Sequence, residues 1–294
     1  MNHGLMFSII IPTYNRADLI LKTVESYLQQ NYLKFEVIVV DDGSTDNTRE
    51  VLSAIKDDRV AYYYKENSER GAARNYGASL AKGAYINFCD SDDYVYKHHL
   101  SVAYKYIEKQ SPDVFHLGHH IINKDKIERA ENRTGILNEF NLKRNYFILN
   151  SIFIKREIAL ENKFVEDRKL AGSEDWLLWL ILSAQYDIIG FGEITSALVQ
   201  HEGRSMVQVE GAKTLARITL LNKYLEENVS MQTKYEKAIP VVFGSGNLLV
   251  ALDFALEKNK ISSLKYLFKS ISYDPAIIFT RRFLAVLKHL ILRW

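Results

Sequence analysis

The chain has 294 residues, 47% hydrophobic and 25% charged, with 38 Lys and Arg against 36 Asp and Glu for a formal charge of +2. That length supports one large α/β domain with an appendage or two modest domains, and the composition excludes a collagen-like or largely disordered chain. The near balance of charge gives no electrostatic case for a nucleic-acid partner.

In chain order, the first hundred residues alternate short β-branched or aromatic runs with segments of helical period, the pattern of βαβ units around a mostly parallel sheet. Strands are predicted at Phe7 to Ile11, Glu36 to Val40, Val60 to Lys65 and Tyr85 to Cys89. The near-continuous apolar character of the first two predicts burial on both faces. Helices are predicted between them. The first, 18 to 30, repeats Ile20, Val24, Tyr27 and Leu28 on one face. The second starts near Asn47, where Asn47 and Glu50 have capping-box spacing. The third, 72 to 82, stops at Gly83, a residue type favoured just past a helix end.

Further strands are predicted at 113 to 122 and 150 to 154, and a helix from about Ser173, whose stretch Trp176 to Leu182 is apolar all round and so predicted to be buried. Residues 212 to 294 read as helical, with a boundary in 204 to 212. Leu5 to Ile11 is short, lacks a basic lead and runs into Pro12, unlike a secretory signal. No stretch reaches the ~18 consecutive apolar residues of a spanning helix. Cys89 is the single cysteine, so an intramolecular disulfide and a thiolate zinc cage are excluded, which suits a reducing, cytoplasmic setting.

The strongest local signal is Cys89-Asp90-Ser91-Asp92-Asp93, three carboxylates within four residues directly after a buried strand. Ligands of open α/β sheets bind beyond the carboxyl ends of strands, and hard divalent cations want carboxylate oxygens and substrate phosphates. A solvated acidic turn is the plain alternative. Three other segments fall at successive strand ends. Pro12-Thr13-Tyr14-Asn15 offers an aromatic face and hydrogen-bonding groups for a base and ribose. Asp41-Asp42-Gly43-Ser44 offers an acceptor for an imide N–H, although such a sequence also serves as a turn and cap. Arg70-Gly71-Ala72-Ala73-Arg74 combines small residues at a helix start with arginines suited to phosphate. His116-Leu117-Gly118-His119-His120 lies on a predicted strand, where alternation of faces argues against a zinc site. Cys89 reads as a filler of strand space.

Taken in order and spacing, Pro-Thr-Tyr-Asn, Asp-Asp-Gly-Ser, Ala-Arg-Asn and Asp-x-Asp-Asp resemble glycosyltransferase family 2, inverting enzymes with the GT-A fold, over roughly residues 7 to 205. The resemblance implies a GT-A domain at 1 to 205, with nucleotide binding in 1 to 100 and acceptor binding in 101 to 205, followed by a helical region at 206 to 294. It implies that Pro12, Thr13, Tyr14, Asp42, Arg74 and Asp92 surround the nucleotide, and that Asp93 ligates a Mn(II) or Mg(II) ion with Asp90 beside it. Ser173-Glu174-Asp175-Trp176 resembles the family's acidic pair, so that Asp175 is the expected general base with Glu174 in reserve; stabilisation of a helix N-terminus by acidic residues is the bland reading. His201 to Ser205 resembles a His-x-x-x-Ser element, placing His201 near the metal, though Leu198-Val199-Gln200 departs from the usual aromatic-basic lead.

The expected reaction moves a sugar from a UDP-sugar to a saccharide or lipid-linked saccharide in surface polysaccharide synthesis. A nucleotidyltransferase and a non-catalytic nucleotide-binding subunit are the competing classes. The acid-free run from Thr280 to Trp294 reads either as a helix lying on the inner face of an anionic membrane or as a terminal helix packed on Leu248 and Leu249.

Overall fold

The computed structural model describes residues 4–123, 126–130, 132–201 and 210–291. The strands are β1 (Phe7–Thr13), β2 (Phe35–Asp41), β3 (Val60–Tyr64), β4 (Tyr85–Phe88), β5 (Tyr94–Val95), β6 (Val114–Asn123), β7 (Lys126–Arg129), β8 (Gly135–Ile136), β9 (Ile152–Lys155) and β10 (Ile188–Gln200). The helices of the first half are α1 (Ile20–Leu28), α2 (Thr48–Ser53), α3 (Arg70–Leu80), α4 (His99–Gln110), α5 (Asn138–Lys143) and α6 (Arg156–Glu161). Those of the second half are α7 (Glu174–Gln185), α8 (Gly211–Glu227), α9 (Val229–Tyr235), α10 (Ile239–Leu256), α11 (Lys260–Tyr273) and α12 (Arg281–Ile291).

The strands form one sheet in the order β3-β2-β1-β4-β9-β6-β10-β5, with β7 on β6 and β8 on β10. From β3 to β4 every pairing is parallel. Beyond β4 the sheet becomes mixed, because β9 enters antiparallel to both β4 and β6, while β6 and β10 pair in parallel. β1 therefore has β2 on one side and β4 on the other, which is a switch point where strand ends open a crevice. All seven residues of β1 are buried, as its apolar run predicts.

Two local expectations change. Asn47 makes no side-chain cap; Asp46 instead accepts from Thr48 N at 3.1 Å and from Thr48 Oγ1 at 2.6 Å, so the caps shift one residue earlier. Gly83 lies beyond Ala81, the residue that ends α3, and a Cβ there would stand 2.5 Å from Ser8 N. Close backbone approach to β1, not a left-handed helix stop, explains that glycine.

β10 is absent from the sequence reading. Gly190 and Gly192 interrupt its apolar run, and the buried Thr195 and Ser196 make it look polar. Their hydroxyls are satisfied inside the protein, Thr195 Oγ1 by His99 Nδ1 and Ser196 Oγ by Ser151 Oγ.

The chain forms two compact units that are not contiguous in sequence. One comprises 1–137, 147–166 and 186–201; the other comprises 138–146, 167–185 and 202–294. A single boundary at 205 and 206 does not describe this arrangement, because α5 and α7 group with the C-terminal helices. Trp176, Leu177, Leu178, Trp179, Leu180 and Leu182 are buried, in line with the apolar surface of α7, and Trp176 Nε1 donates to Asn141 O of α5 at 2.9 Å.

Within the second unit, α10 is long and apolar enough to cross a membrane by length and composition, but 72% of it is buried inside the protein. It is the core helix of that unit. Around it, Phe283, Val286, Leu287 and Leu290 of α12 pack with Leu248, Ala251 and Leu267. Part of the apolar surface of α12 is thus packed on protein, as the reading of a terminal helix seated near Leu248 expects, while Leu284 and Ile291 stay 60% exposed; residues 292 to 294 lie outside the described residues.

Candidate active site

β1, β2 and β4 are parallel and in register, with Thr13 opposite Asp41 and Phe88 opposite Ile10, so the segments that follow them emerge on the same side of the sheet. Asn15 ties two of these segments together. Its Oδ1 accepts from Thr45 N at 2.8 Å, its own N–H donates to Ser44 Oγ at 2.9 Å, and it has φ 50, a left-handed conformation that asparagine tolerates. Gly43 has φ +86, and a Cβ there would lie 2.9 Å from Asn67 N, so this turn requires glycine.

The two aspartates of the turn have separate tasks. Asp41 accepts from Ser44 N at 2.8 Å and from Tyr62 OH at 2.7 Å, which closes the turn and fixes it to β3. Burial, then the hydrogen bond to Asp41, pushes the Tyr62 hydroxyl pKa well above its ordinary value. Asp42 is 3% exposed. Its Oδ1 accepts from Lys65 Nζ at 2.8 Å and Ser68 N at 3.0 Å, while its backbone N–H donates to Thr13 O. Lys65 and Ser68 are therefore site residues that sequence reading passed over; the signal was a lysine ending an otherwise tyrosine-rich strand. Thr13 and Pro12 are buried within β1, whereas Tyr14 is 48% exposed at its end. Thr13 Oγ1 is buried without a hydrogen-bond partner among the described residues, an unsatisfied group beside Asp42.

The acidic cluster fills the turn between β4 and β5. One ligand oxygen from each of Asp90, Asp92 and Asp93 lies within 4.8 Å of the others. Each carboxylate is anchored from a different direction. Arg74 Nη2 of α3 donates to Asp90 Oδ1 at 2.7 Å. His201 Nε2 lies 2.9 Å from Asp92 Oδ2. Val199 N of β10 donates to Asp93 Oδ1 at 2.8 Å, while the Asp93 carbonyl accepts from Thr23 Oγ1. The overlooked strand β10 thus supplies one of the cluster's fixings through Val199, and His201 directly follows it.

Arg74 is 1% exposed and its guanidinium lies 5.1 Å from the Phe164 ring centroid. It is held beside the cluster by its bond to Asp90. The glycines on either side of Arg74 serve packing: a Cβ on Gly71 would be 2.8 Å from Val165 O, and one on Gly77 would be 2.5 Å from Ile10 Cγ2. They let α3 seat closely on its neighbours. Cys89, buried before the cluster, has its thiol pKa raised by burial and then by Asp93, so it is a poor nucleophile.

These carboxylates suit a hard divalent cation. Three oxygen donors converge, one of them on a carboxylate buried to 4% exposure, and a histidine nitrogen adjoins them. Among the described residues this is the only cluster of three or more His, Cys, Asp or Glu that could share an ion. The histidines of β6 do not form another. Their argument from strand alternation fails locally, since the His116 and His119 rings meet at 5.8 Å near register shifts in the paired β10, but no third ligand type joins them.

In the second unit, Asp175 sits in the first turn of α7. Its Oδ1 accepts from Trp176 N at 2.7 Å and its Oδ2 from Asn145 Nδ2 at 3.0 Å. Glu174 is 4% exposed and accepts from Gly172 N at 2.6 Å. Of the two, Asp175 is more open. Residues 202 to 205 of the His-x-x-x-Ser element lie outside the described residues.

A sheet that opens at the β1 switch point, with an aspartate cluster beyond β4, defines a GT-A type α/β domain. The family model described as glycosyl transferase family 2 matches residues 8–167, and the chain belongs to that family. An uncharacterized glycosyltransferase of Rickettsia felis is 34% identical over 193 residues, 64% of this chain and 32% of that protein. The chain thus spans about a third of the length of the Rickettsia relatives it matches. WfaP of Escherichia coli, a UDP-Glc:alpha-D-GlcNAc-diphosphoundecaprenol beta-1,3-glucosyltransferase, is 42% identical over 122 residues, 41% of this chain and 48% of that protein. Among solved structures, Staphylococcus aureus TarS 1–349 with UDP-GlcNAc has TM-score 0.65 at 19% identity, covering 92% of each chain. The mannosyltransferase PcManGT of Pyrobaculum calidifontis, with GDP-Man and Mn2+, has TM-score 0.58 at 17% identity, covering 100% of this chain and 89% of that one. These structural likenesses carry the fold.

Proposed function

We propose that this protein is a metal-dependent inverting glycosyltransferase that moves a sugar from a UDP-sugar to a hydroxyl of a saccharide or lipid-linked saccharide. The observation that carries the reading is the convergence of Asp90, Asp92 and Asp93 within 4.8 Å beyond β4, in a sheet whose neighbouring strand ends carry Thr13 and Asp42. The relation to WfaP supports the donor and acceptor classes; the manganese of PcManGT supports the metal.

In this reading Asp93, Asp90 and His201 hold Mn(II) or Mg(II), which when bound neutralises charge growing on the leaving diphosphate. Tyr14 offers a face to the base, and Asp42, oriented by Lys65 and Ser68, accepts from its imide N–H. Asp92 serves the ribose. Arg74 acts on the nucleotide through Asp90. The acceptor oxygen forms a bond to the anomeric carbon as the bond from that carbon to the diphosphate oxygen breaks, with inversion, and the hydroxyl proton passes to the Asp175 carboxylate. The hydrogen bond from Asn145 fixes the orientation of that carboxylate.

The test is nucleotide release from a panel of nucleotide sugars with a mixture of saccharide acceptors, in Mn(II) and in chelator. Metal-dependent UDP release that needs an acceptor supports the reading. Release of inorganic diphosphate from a nucleoside triphosphate and a sugar phosphate would instead identify a nucleotidyltransferase.

A further inference from the structure

We infer that the outer face of α11, with the adjoining Phe279, docks this protein on a membrane surface rich in anionic phospholipid. The inference stands apart from the reaction. It begins with the two sides of α11. Ser263, Leu267 and Ser270 are buried, and Leu267 joins the apolar cluster formed around α10. The opposite side carries Ile261, Leu264 and Phe268, exposed to 85%, 43% and 68%. Their i, i+3, i+7 spacing makes them one stripe. Phe279 is 86% exposed in the short helical turn Pro275–Phe279, which adjoins α11.

Exposed apolar groups gathered on one face and rimmed by charge mark a contact surface. Here the charge along the segment is cationic. Residues 258 to 291 contain the exposed Lys258, Lys260, Lys265, Lys269, Arg281 and Lys288 and the largely buried Arg282, against the single acid Asp274. The Asp274 carboxylate caps the turn that follows it, accepting from Ala276 N at 3.0 Å. Lys265 and Lys269 follow Leu264 and Phe268 by one position, beside the stripe, and their ammonium groups lie 5.6 and 6.0 Å from the Tyr266 and Tyr273 ring centroids.

Aliphatic and phenylalanine side chains at the centre with lysines beside them match the depth profile of a bilayer interface. Lysine heads then reach anionic headgroups. A second copy of this chain fits less well, because two such faces would bring like charges together. The surface thus differs from the one suggested by α12, whose Phe283, Val286, Leu287 and Leu290 pack on the core of this unit.

Sedimentation of the full chain with phosphatidylcholine vesicles, with or without phosphatidylglycerol, tests this. The protein should pellet with the phosphatidylglycerol vesicles and stay in solution with the neutral ones. Changing Ile261→Ser with Phe268→Ser should weaken partitioning at least about tenfold. Lys265→Ala and Lys269→Ala should each weaken it about fivefold, and added salt should do the same. These side chains are exposed, so thermal midpoints should match the parent. No binding to anionic vesicles, or undiminished binding by the stripe variants, would overturn the inference. So would a dimer in sedimentation velocity that Phe268→Ser dissolves without any vesicle binding by the parent. Nucleotide release measured without vesicles keeps this result separate from that of the enzymatic reading.

Discussion

Arg74 donates from Nη2 to Asp90 Oδ1 at 2.7 Å with its own side chain 1% exposed and that of the aspartate 24% exposed. The arginine is inside and the carboxylate reaches outward. The pair therefore pins one edge of the acidic cluster to α3, and the cost of burying the guanidinium is offset by that bond and by the Phe164 ring.

Arg74→Ala should destabilise the protein by about 3 kcal/mol, because it leaves the Asp90 carboxylate without its cation and a hole beneath the cluster. Arg74→Lys should recover only part of this, since lysine cannot reproduce the planar fork over Phe164. Urea unfolding of both variants checks the order. Equal stability of Arg74→Ala and the parent would show that the bond does no structural work.

Asp93→Ala should lower affinity for Mn(II), measured by calorimetry in the presence of UDP, by roughly 100-fold. The same variant also frees Val199 N from its acceptor. Asp93→Asn keeps that hydrogen bond and removes only the charge, so it should retain the parent's stability while losing most of the metal affinity. If both variants bind manganese like the parent, the ion is held elsewhere.

Asp175→Asn should reduce kcat by about 10²- to 10⁴-fold with little change in the donor KM. Asparagine keeps the shape of the side chain and the helix start. A turnover equal to the parent's would remove Asp175 from the mechanism and turn attention to Glu174, whose carboxylate already serves Gly172 N.

Acid should unfold the protein earlier than its carboxylates alone require. His99, His116 and His119 are buried; burial, followed by neighbouring histidines, lowers their pKa values, to about 3 for His99 and about 4 for His119. The unfolded chain takes up protons near the ordinary value of ~6.5 while the folded one does not. Stability is thus complete above that pH and falls as pH drops toward 4, by about 1.4 kcal/mol per pH unit for each histidine. Urea midpoints between pH 7 and 5 measure the slope, and His119→Gln should reduce it by one histidine's share.

Gly77→Ala should cost about 1 to 3 kcal/mol, because the added Cβ would stand 2.5 Å from Ile10 Cγ2 and 3.1 Å from Val40 Cγ2. An exposed position of α3 such as Ser79→Ala should be nearly neutral. Thermal unfolding of the two variants separates packing from helix propensity.

Much of the first hundred residues was legible because parallel strands write themselves as apolar runs ending in turn residues. Val37 to Val40 and the Asp41-Asp42-Gly43 turn are the plainest case. β10 was not legible, since the glycines and buried hydroxyls that let it pass between β6 and β5 erase the same signal; with it went Val199, which fixes Asp93. The bond from Arg74 to Asp90 was not legible either, because it joins a helix start to a turn sixteen residues later that only the fold brings together. The membership of α5 and α7 in the second unit rests on contacts such as Trp176 with Asn141, which no local pattern encodes.

The two units are threaded through one another along the sequence: the chain passes from one to the other after residues 137, 146, 166, 185 and 201. No single cut separates them. Exchanging the helical unit with that of a relative, as one would swap a cartridge, would require three segments to travel together, and a fragment stopping at residue 205 would strip the buried tryptophans of α7 of their cover. Substitution in place leaves both units whole, whereas recombination at a single joint does not.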